Sequence, residues 1–161
     1  PATLCGYAPR LRLDLSVNLL TIHALINKKI KIFGGNQMRP ILNIKDMVRF
    51  YELMLEIPRE KIHKEAFNVA NQNITIRELA EVIKKVIGDK SIKFEVIPSN
   101  DPRSYHVNTD KMKNILGFEC KFNLKEAIQS LIDAYNRGLI IDGLNNPLYY
   151  NIKQMRAINL K

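Results

Sequence analysis

The stretch Lys29–Asp46, "KIKIFGGNQMRPILNIKD", decides how the chain is read. "IKIF" (30–33) alternates apolar and polar residues, the period of a half-buried strand. Gly34 and Gly35 follow; lacking a Cβ, they reach backbone angles closed to other residues and let the chain turn sharply. "MRPILNI" then resumes extended character. Pro40 biases Arg39 away from helical angles and cannot donate to a ladder, so this second strand is expected at a sheet edge. It is expected to pair with residues 30–33 in a small unit outside the main sheet. "IKDMVRFYELML" opens a helix with Asp46 near its start, where a carboxylate is favoured and which accounts for that aspartate as structural. Arg39 then sits on a short, rigid strand beside a glycine turn, from which a guanidinium fork can reach a phosphate.

Working outward, "LDLSVNLLTIHALIN" (13–27) is apolar enough and long enough for a buried helix. "KDMVRFYELMLEI" repeats apolar residues at helical spacing and stops before Pro58. "EAFNVAN" reads as a short strand centred on Phe67 and Val69. In the next helix Thr75 and Glu78 have capping-box spacing and Gly88 closes it. "SIKFEVI" alternates like a strand. "DPRSYHVNTDKMKNILGF" is a polar loop leading to a short helix that Asn108 or Thr109 is placed to cap and Gly117 to end. Asn123 and Glu126 repeat the capping box for a last helix closed near Gly138. Helices alternating with strands indicate an α/β fold. Residues 139–161 show weak periodicity, and whether they form an arm or an ordered tail stays open.

The chain has 161 residues and a net charge of +9, enough for one domain with a real core. Its lysines are spread along the sequence without interleaved aromatics, which argues against a stacking platform for nucleic acid; a solvated lysine-rich surface and an anionic ligand both account for the charge. No apolar run approaches a membrane span, and the first residues do not read as a signal peptide. Cys5 and Cys120 form no metal spacing or disulfide framework and fit reduced thiols in a cytoplasmic protein. Three scattered histidines give no zinc site, so no metal is expected. There is no GxGxxG at a strand–helix junction, and no Walker, HExxH or GxSxG motif.

Four stretches, taken together and in this order, resemble one family: "GYAPRLRLDLSVN" (6–18), "KIKIFGGNQMRPILNIKDMVRF" (29–50), "AFNVANQNITIRELAEVI" (66–83) and "DPRSYHVNTDKMKNILGF" (101–118). They are similar to the C-terminal half of the NAD-dependent sugar-nucleotide epimerases and dehydratases, the extended short-chain dehydrogenase/reductases. The resemblance implies an α/β fold: a substrate-binding region over 1–138 with the last Rossmann elements, a tail over 139–161, and an N-terminal NAD-binding half that is lacking. It implies NAD or NADP held mainly by that other half, a nucleoside-diphosphate sugar as ligand, a homodimer as the full-length protein, and neither nucleic acid nor membrane as partner. The family's Tyr-xxx-Lys pair is expected to be absent, since Tyr51 and Tyr135 have no lysine four residues on. No catalytic residue is therefore assigned, and the chain alone is expected to be inactive.

Residue by residue, Arg39 matches the arginine that pairs with the nucleotide-sugar diphosphate, and Arg103 a second arginine at the diphosphate or ribose. Asn18 matches the segment lining the nucleotide pocket. Asn43 falls where the family places a side chain near the nucleotide. Tyr7 and Arg10, in "GYAPR", fall beside the nicotinamide and sugar, and Asp46 matches the family's "VxD" aspartate. Two other classes remain: a noncatalytic nucleotide-binding or scaffold protein on the same fold, and a basic nucleic-acid-binding domain.

Overall fold

Short apolar strands interleaved with amphipathic helices bury one face of each element against the next. The computed structural model, which describes residues 2–99 and 103–160, runs β1 (Thr3–Cys5), α1 (Ser16–Asn27), β2 (Lys29–Phe33), β3 (Met38–Asn43), α2 (Ile44–Glu56), a short α3 (Arg59–Ile62), β4 (Gln72–Thr75), α4 (Ile76–Ile87), β5 (Lys93–Ile97), α5 (Asp110–Leu116), α6 (Leu124–Asn136), a 3-10 turn at Pro147–Tyr149 and α7 (Asn151–Ala157). The fold is α/β, as the alternation indicates. Of the polar loop before α5, Asp101 and Pro102 lie outside the described residues.

The pairing differs from expectation at its centre. β2 and β3 do not pair with each other: β2 runs parallel to β5, and β3 lies between β1 and β4 in a separate three-stranded sheet. The link between them explains this. Gly34 (φ 72°) continues the β2–β5 ladder by donating its N–H to Ile97 O at 2.9 Å, and Gly35 (φ 114°) and Gln37 turn their carbonyls onto the Arg77 and Ile76 N–H groups at the start of α4. The whole link is spent docking on α4, so β3 leaves in another direction.

Pro40 does not mark an edge, because β3 is the central strand of its sheet. The parallel ladder with β1 begins at Ile41, one residue beyond Pro40, and only Asn73 of β4 stands opposite the proline. The missing N–H thus falls where the second ladder has not started. Residues 67–70, expected as a strand, stay outside the ladders. Their segment is tied to the chain beside β1 and β3 by Ala2 N–H to Val69 O at 2.8 Å and, one residue on, by Asn71 N–H to Ile41 O at 2.9 Å.

The helix boundaries follow the local signals. Complete capping boxes form at Thr75/Glu78 and Asn123/Glu126, and Gly88 and Gly117 close their helices in the left-handed region. Asn108 takes the role of cap at α5, its side chain accepting from Asp110 N–H at 2.7 Å. Asp46 is structural, though more is involved than a helix-start charge. Its fully buried carboxylate accepts the Lys121 and Phe122 N–H groups, each at 2.9 Å, and Arg49 at 2.7 Å. It therefore fastens the segment before α6 to α2.

Three apolar clusters hold these pieces. α1, α4 and α6 pack under β2 and β3 through residues such as Val17, Ile32, Ile41, Leu79, Ile83 and Ile128. α2 and α5 meet around Leu42, Met112 and an edge-to-face pair of Phe50 and Phe118 with ring centres 5.2 Å apart. The third cluster, around Leu11, Leu13, Ile22, Leu131 and Ile140, is covered by Leu144, Tyr149 and Tyr150, so residues 140–150 pack on the body, while α7 beyond them buries no residue. Among the described residues, no helix is long and apolar enough to cross a membrane.

Candidate functional site

Where β2 leaves the sheet, its alternation puts Ile30 and Ile32 inward and Lys31 and Phe33 outward. That outward face is one wall of a cleft of about 510 Å³. Arg39 of β3 and the segment carrying Arg103 and Tyr105 form the opposite wall, and the start of α1 (Leu15, Ser16) closes one side. A second, more apolar cleft of about 260 Å³ is lined by Gly6, Arg10, Arg12 and Asn18. The two share the lining residues Thr3 and Leu15, so they adjoin as the two halves of a groove divided at those residues.

Arg39 and Arg103 lie 64 positions apart in sequence and are brought together by β3. Ser104 Oγ accepts Met38 N–H at 3.0 Å and Tyr105 N–H reaches Met38 O at 3.4 Å, which lays the 103–105 segment along the strand's first residue. Arg39 Nη1 donates to the Met38 and Arg103 carbonyls, and its guanidinium lies 5.6 Å from the centre of the Tyr105 ring. A guanidinium held by two backbone carbonyls beside an aromatic ring has a fixed orientation, and a guanidinium fork suits an oxyanion such as phosphate.

α1 adds a second feature suited to an anion. Its cap position is Leu15, which offers no side-chain hydrogen bond, and its first turn holds no acidic residue. Among the described residues, the buried Ser16 Oγ has no hydrogen-bond partner. A helix start without a cap leaves backbone N–H groups and a positive partial charge directed outward. Asp14 also lines this cleft. Burial pushes its carboxyl up, but the hydrogen bond from Arg12, the Asn151 N–H and the Arg12 charge outweigh that and hold it below the usual aspartate value.

The other sequence-assigned residues divide. Asn18 borders the smaller cleft, with both ends of its amide spent on the adjoining loop: Oδ1 accepts Gly6 N–H at 3.1 Å and Nδ2 donates to Arg12 O at 2.9 Å. Arg10 borders the same cleft and donates to Asn151 Oδ1 at 2.9 Å. Asn43 lines neither cleft. It caps α2 by accepting Lys45 N–H at 3.0 Å and donates to Asn123 O at 3.3 Å. Tyr7 packs on the third apolar cluster, its N–H on Ser130 Oγ at 3.0 Å. Ser16, Lys31 and Gln37 were not singled out from sequence. The strand alternation already signalled the outward Lys31, whereas nothing local marked Ser16.

The described residues offer little of a redox or nucleophilic centre. Gly34 and Gly35, the one glycine pair, join two strands rather than opening a helix, so the described residues show no glycine-rich strand–helix turn of the kind that cradles a dinucleotide pyrophosphate. Tyr149 and Lys153 do have Tyr-xxx-Lys spacing, contrary to the expectation that it is absent. Their side chains diverge, however. Tyr149 Oη accepts Ile141 N–H at 3.3 Å, while Lys153 Nζ donates to Leu144 O at 3.3 Å and lies over the Tyr150 ring. Neither borders either half of the groove. Burial pushes the Cys5 thiol up to about 12, which keeps it protonated. No cluster of metal-ligating side chains occurs among the described residues.

Residues 4–70 match the family model "NAD dependent epimerase/dehydratase family". UDP-glucuronic acid decarboxylase 1 of Arabidopsis thaliana is 27% identical over 139 residues, covering 83% of this chain and 31% of the relative. UDP-D-apiose/UDP-D-xylose synthase 2 of the same plant is 30% identical over 138 residues, 78% of this chain and 34% of the relative. The chain thus spans about a third of the length of these curated relatives. Among solved structures, UDP-glucuronic acid 4-epimerase from Bacillus cereus, in complex with UDP-glucuronic acid and NAD, superposes with a TM-score of 0.71 at 23% identity, covering 84% of this chain and 43% of that one. That last likeness is one of fold.

Proposed function

We propose that this chain, which carries a segment of the NAD dependent epimerase/dehydratase family, is the nucleotide-sugar-binding portion of an NAD(P)-dependent enzyme acting on a nucleoside-diphosphate sugar. In this reading it corresponds to the C-terminal half of that enzyme, with the substrate-binding region over 1–138 and a tail over 139–161. The observation that carries it is the convergence of Arg39, Arg103 and the uncapped start of α1 on one cleft.

A nucleoside diphosphate has two adjacent anionic groups and little apolar surface. Two arginines from different elements clamp such a group through charge-assisted, bidentate hydrogen bonds, and open N–H groups at a helix start add donors. The two clefts adjoin at Thr3 and Leu15; in this reading the diphosphate is gripped in the cationic cleft and the sugar projects across that border toward Asn18 and Arg10. Holding the unreactive end of a substrate supplies the orientation that a transfer at the other end needs. When bound, the nicotinamide cofactor would supply the hydride chemistry. The residues present here lack a glycine-rich pyrophosphate turn, so that cofactor is held mainly by the remainder of the enzyme, and the chain alone turns over no nucleotide sugar. The full-length enzyme is taken to work as a cytoplasmic homodimer.

Isothermal titration of the chain with UDP tests this reading. Saturable binding that Arg39→Ala and Arg103→Ala each weaken by about tenfold, the size of one lost charge-assisted hydrogen bond, supports it. Binding equal to wild type in Arg39→Ala would reduce that arginine to surface decoration. A polyanion such as duplex DNA binding more tightly than UDP, with a steep salt dependence, would favour a nucleic-acid-binding domain instead.

A further inference from the structure

The loop from Arg10 to Leu15 separates the two halves of the groove. Arg10, Leu11 and Arg12 line the apolar cleft, Asp14 the cationic one, and Leu15 both. It contains no regular secondary structure apart from bends, and it leads directly into the uncapped start of α1 at Ser16. A loop with no ladder of its own needs outside partners to hold one conformation.

One partner is local, Asn18 Nδ2 donating to Arg12 O, and Arg12 and Asp14 pair within the loop; the others come from the far end of the chain. Leu13 N–H donates to Tyr149 O at 2.9 Å. The Asn151 N–H donates to Asp14 Oδ2 at 3.1 Å, and Asn151 Oδ1 accepts from Arg10 at 2.9 Å. The residues that make these bonds are held in turn. Tyr149 and Tyr150 pack on the cluster that contains Leu11 and Leu13, and Tyr150 Oη donates to Gly143 O at 2.9 Å. A Cβ on Gly143 would stand 3.1 Å from Ile140 Cγ2 and 3.4 Å from Leu13 Cδ1, so its backbone sits directly on the base of the loop. A residue with only hydrogen there permits that approach.

We infer that residues 147–151 form a strap that positions loop 10–15, and through it the junction of the two clefts, for ligand binding. Tyr149 and Asn151 touch neither cleft and act through the loop, so they are positioning residues. The inference rests on the nucleotide-sugar reading of the groove for its ligand, but not for the strap itself.

Asn151→Pro tests it with little risk to the fold. Asn151 is the first residue of α7, where proline is tolerated, and Tyr150 before it already has the extended angles a following proline requires. The change removes the N–H given to Asp14 and the oxygen given to Arg10. Asn151→Ala keeps the first bond and loses the second. Hydrogen exchange on the ligand-free chain reads the strap: in Asn151→Pro, the amides of residues 11–15 are expected to lose protection by about tenfold, with α4 and α6 unchanged. Titration with UDP reads the coupling: the dissociation constant is expected to rise about tenfold in Asn151→Pro and by less in Asn151→Ala. Unchanged protection in the loop would overturn the strap. Lost protection with wild-type UDP affinity would show a strap that is purely structural and overturn the coupling. Failure of the wild-type chain to bind UDP would remove the nucleotide reading and the coupling together, while the exchange result would still decide whether the strap holds the loop.

Discussion

α1 and α4 are helices of equal length, 12 residues each, that pack against each other in the same apolar cluster, yet their first turns are built in opposite ways. α4 begins with every device for satisfying its own end. Thr75 and Glu78 form a complete capping box, and the carbonyls of Gly35 and Gln37 accept its first N–H groups. α6 begins with the same box, and α2 with the Asn43 cap and buried Asp46. α1 begins at Leu15 with no side-chain cap, a Ser16 hydroxyl without a partner among the described residues, and Lys31, Arg39, Arg103 and Asp14 lining the same cleft. The closed starts cost nothing to solvate and serve architecture. The α1 start lies beside a cleft lined by Lys31, Arg39 and Arg103 as well as Asp14, and in the proposed reading its uncapped end contributes to holding an anion there.

The largest effect is expected at a closed start. Asp46→Ala leaves the Lys121 and Phe122 N–H groups and Arg49 without their buried acceptor. It should cost about 3 kcal/mol of stability in urea denaturation, with UDP affinity unaltered in whatever fraction remains folded. The converse pattern belongs to the open start: Arg39→Ala should weaken UDP binding about tenfold, about 1.4 kcal/mol, while leaving the urea midpoint close to wild type. Were both variants to lose stability equally, the division between closed, architectural starts and the open, binding one would collapse.

Converting one kind of start into the other sharpens the comparison. Leu15→Asp gives α1 a cap and places a fixed anion where the ligand's diphosphate is expected, so UDP affinity should fall about tenfold without loss of helix by circular dichroism. Tighter binding in that variant would place the diphosphate elsewhere. Thr75→Ala, which opens the box of α4, should cost about 1 kcal/mol of stability and create no UDP site, because loop carbonyls already occupy that end.

The smallest effect is in pH. The Thr75 backbone N–H, then its hydroxyl, hold the Glu78 carboxyl below the usual glutamate value. A depressed folded value means the box stabilises above the unfolded carboxyl's titration and loses that contribution as pH falls through the folded one. The stability gap between wild type and Thr75→Ala should therefore narrow on acidification below about pH 4.5 and stay constant at neutral pH. A gap that widened in acid would reverse the assigned sign.

Sequence by itself determined the features set by neighbours along the chain. Capping boxes, the glycine closures at Gly88 and Gly117, the helical span of α2 and the outward face of "KIKIF" are all decided within a few residues by side-chain reach and backbone freedom, and each was legible. The resemblance also pointed to Arg39 and Arg103, which the structure brings to one cleft; their role at a diphosphate belongs to the proposed reading. What sequence did not determine is what meets what. The Tyr149–Lys153 spacing carries no information about whether the two side chains face one another, and here they diverge. Pro40 pointed to an edge strand, but a ladder that starts one residue later removes the conflict. Asn43 and Asn18 have their amide groups engaged by backbone partners 80 and 12 positions away, which no local pattern encodes. The groove follows the same rule. Its walls come from β1, the loop 10–15, α1, β2, β3 and the 103–105 segment, and the strap that steadies it comes from residues 147–151. Local propensity sets the conformation of each piece, but bringing distant pieces together depends on burial and hydrogen-bond satisfaction across the whole fold, and only the tertiary structure decides it.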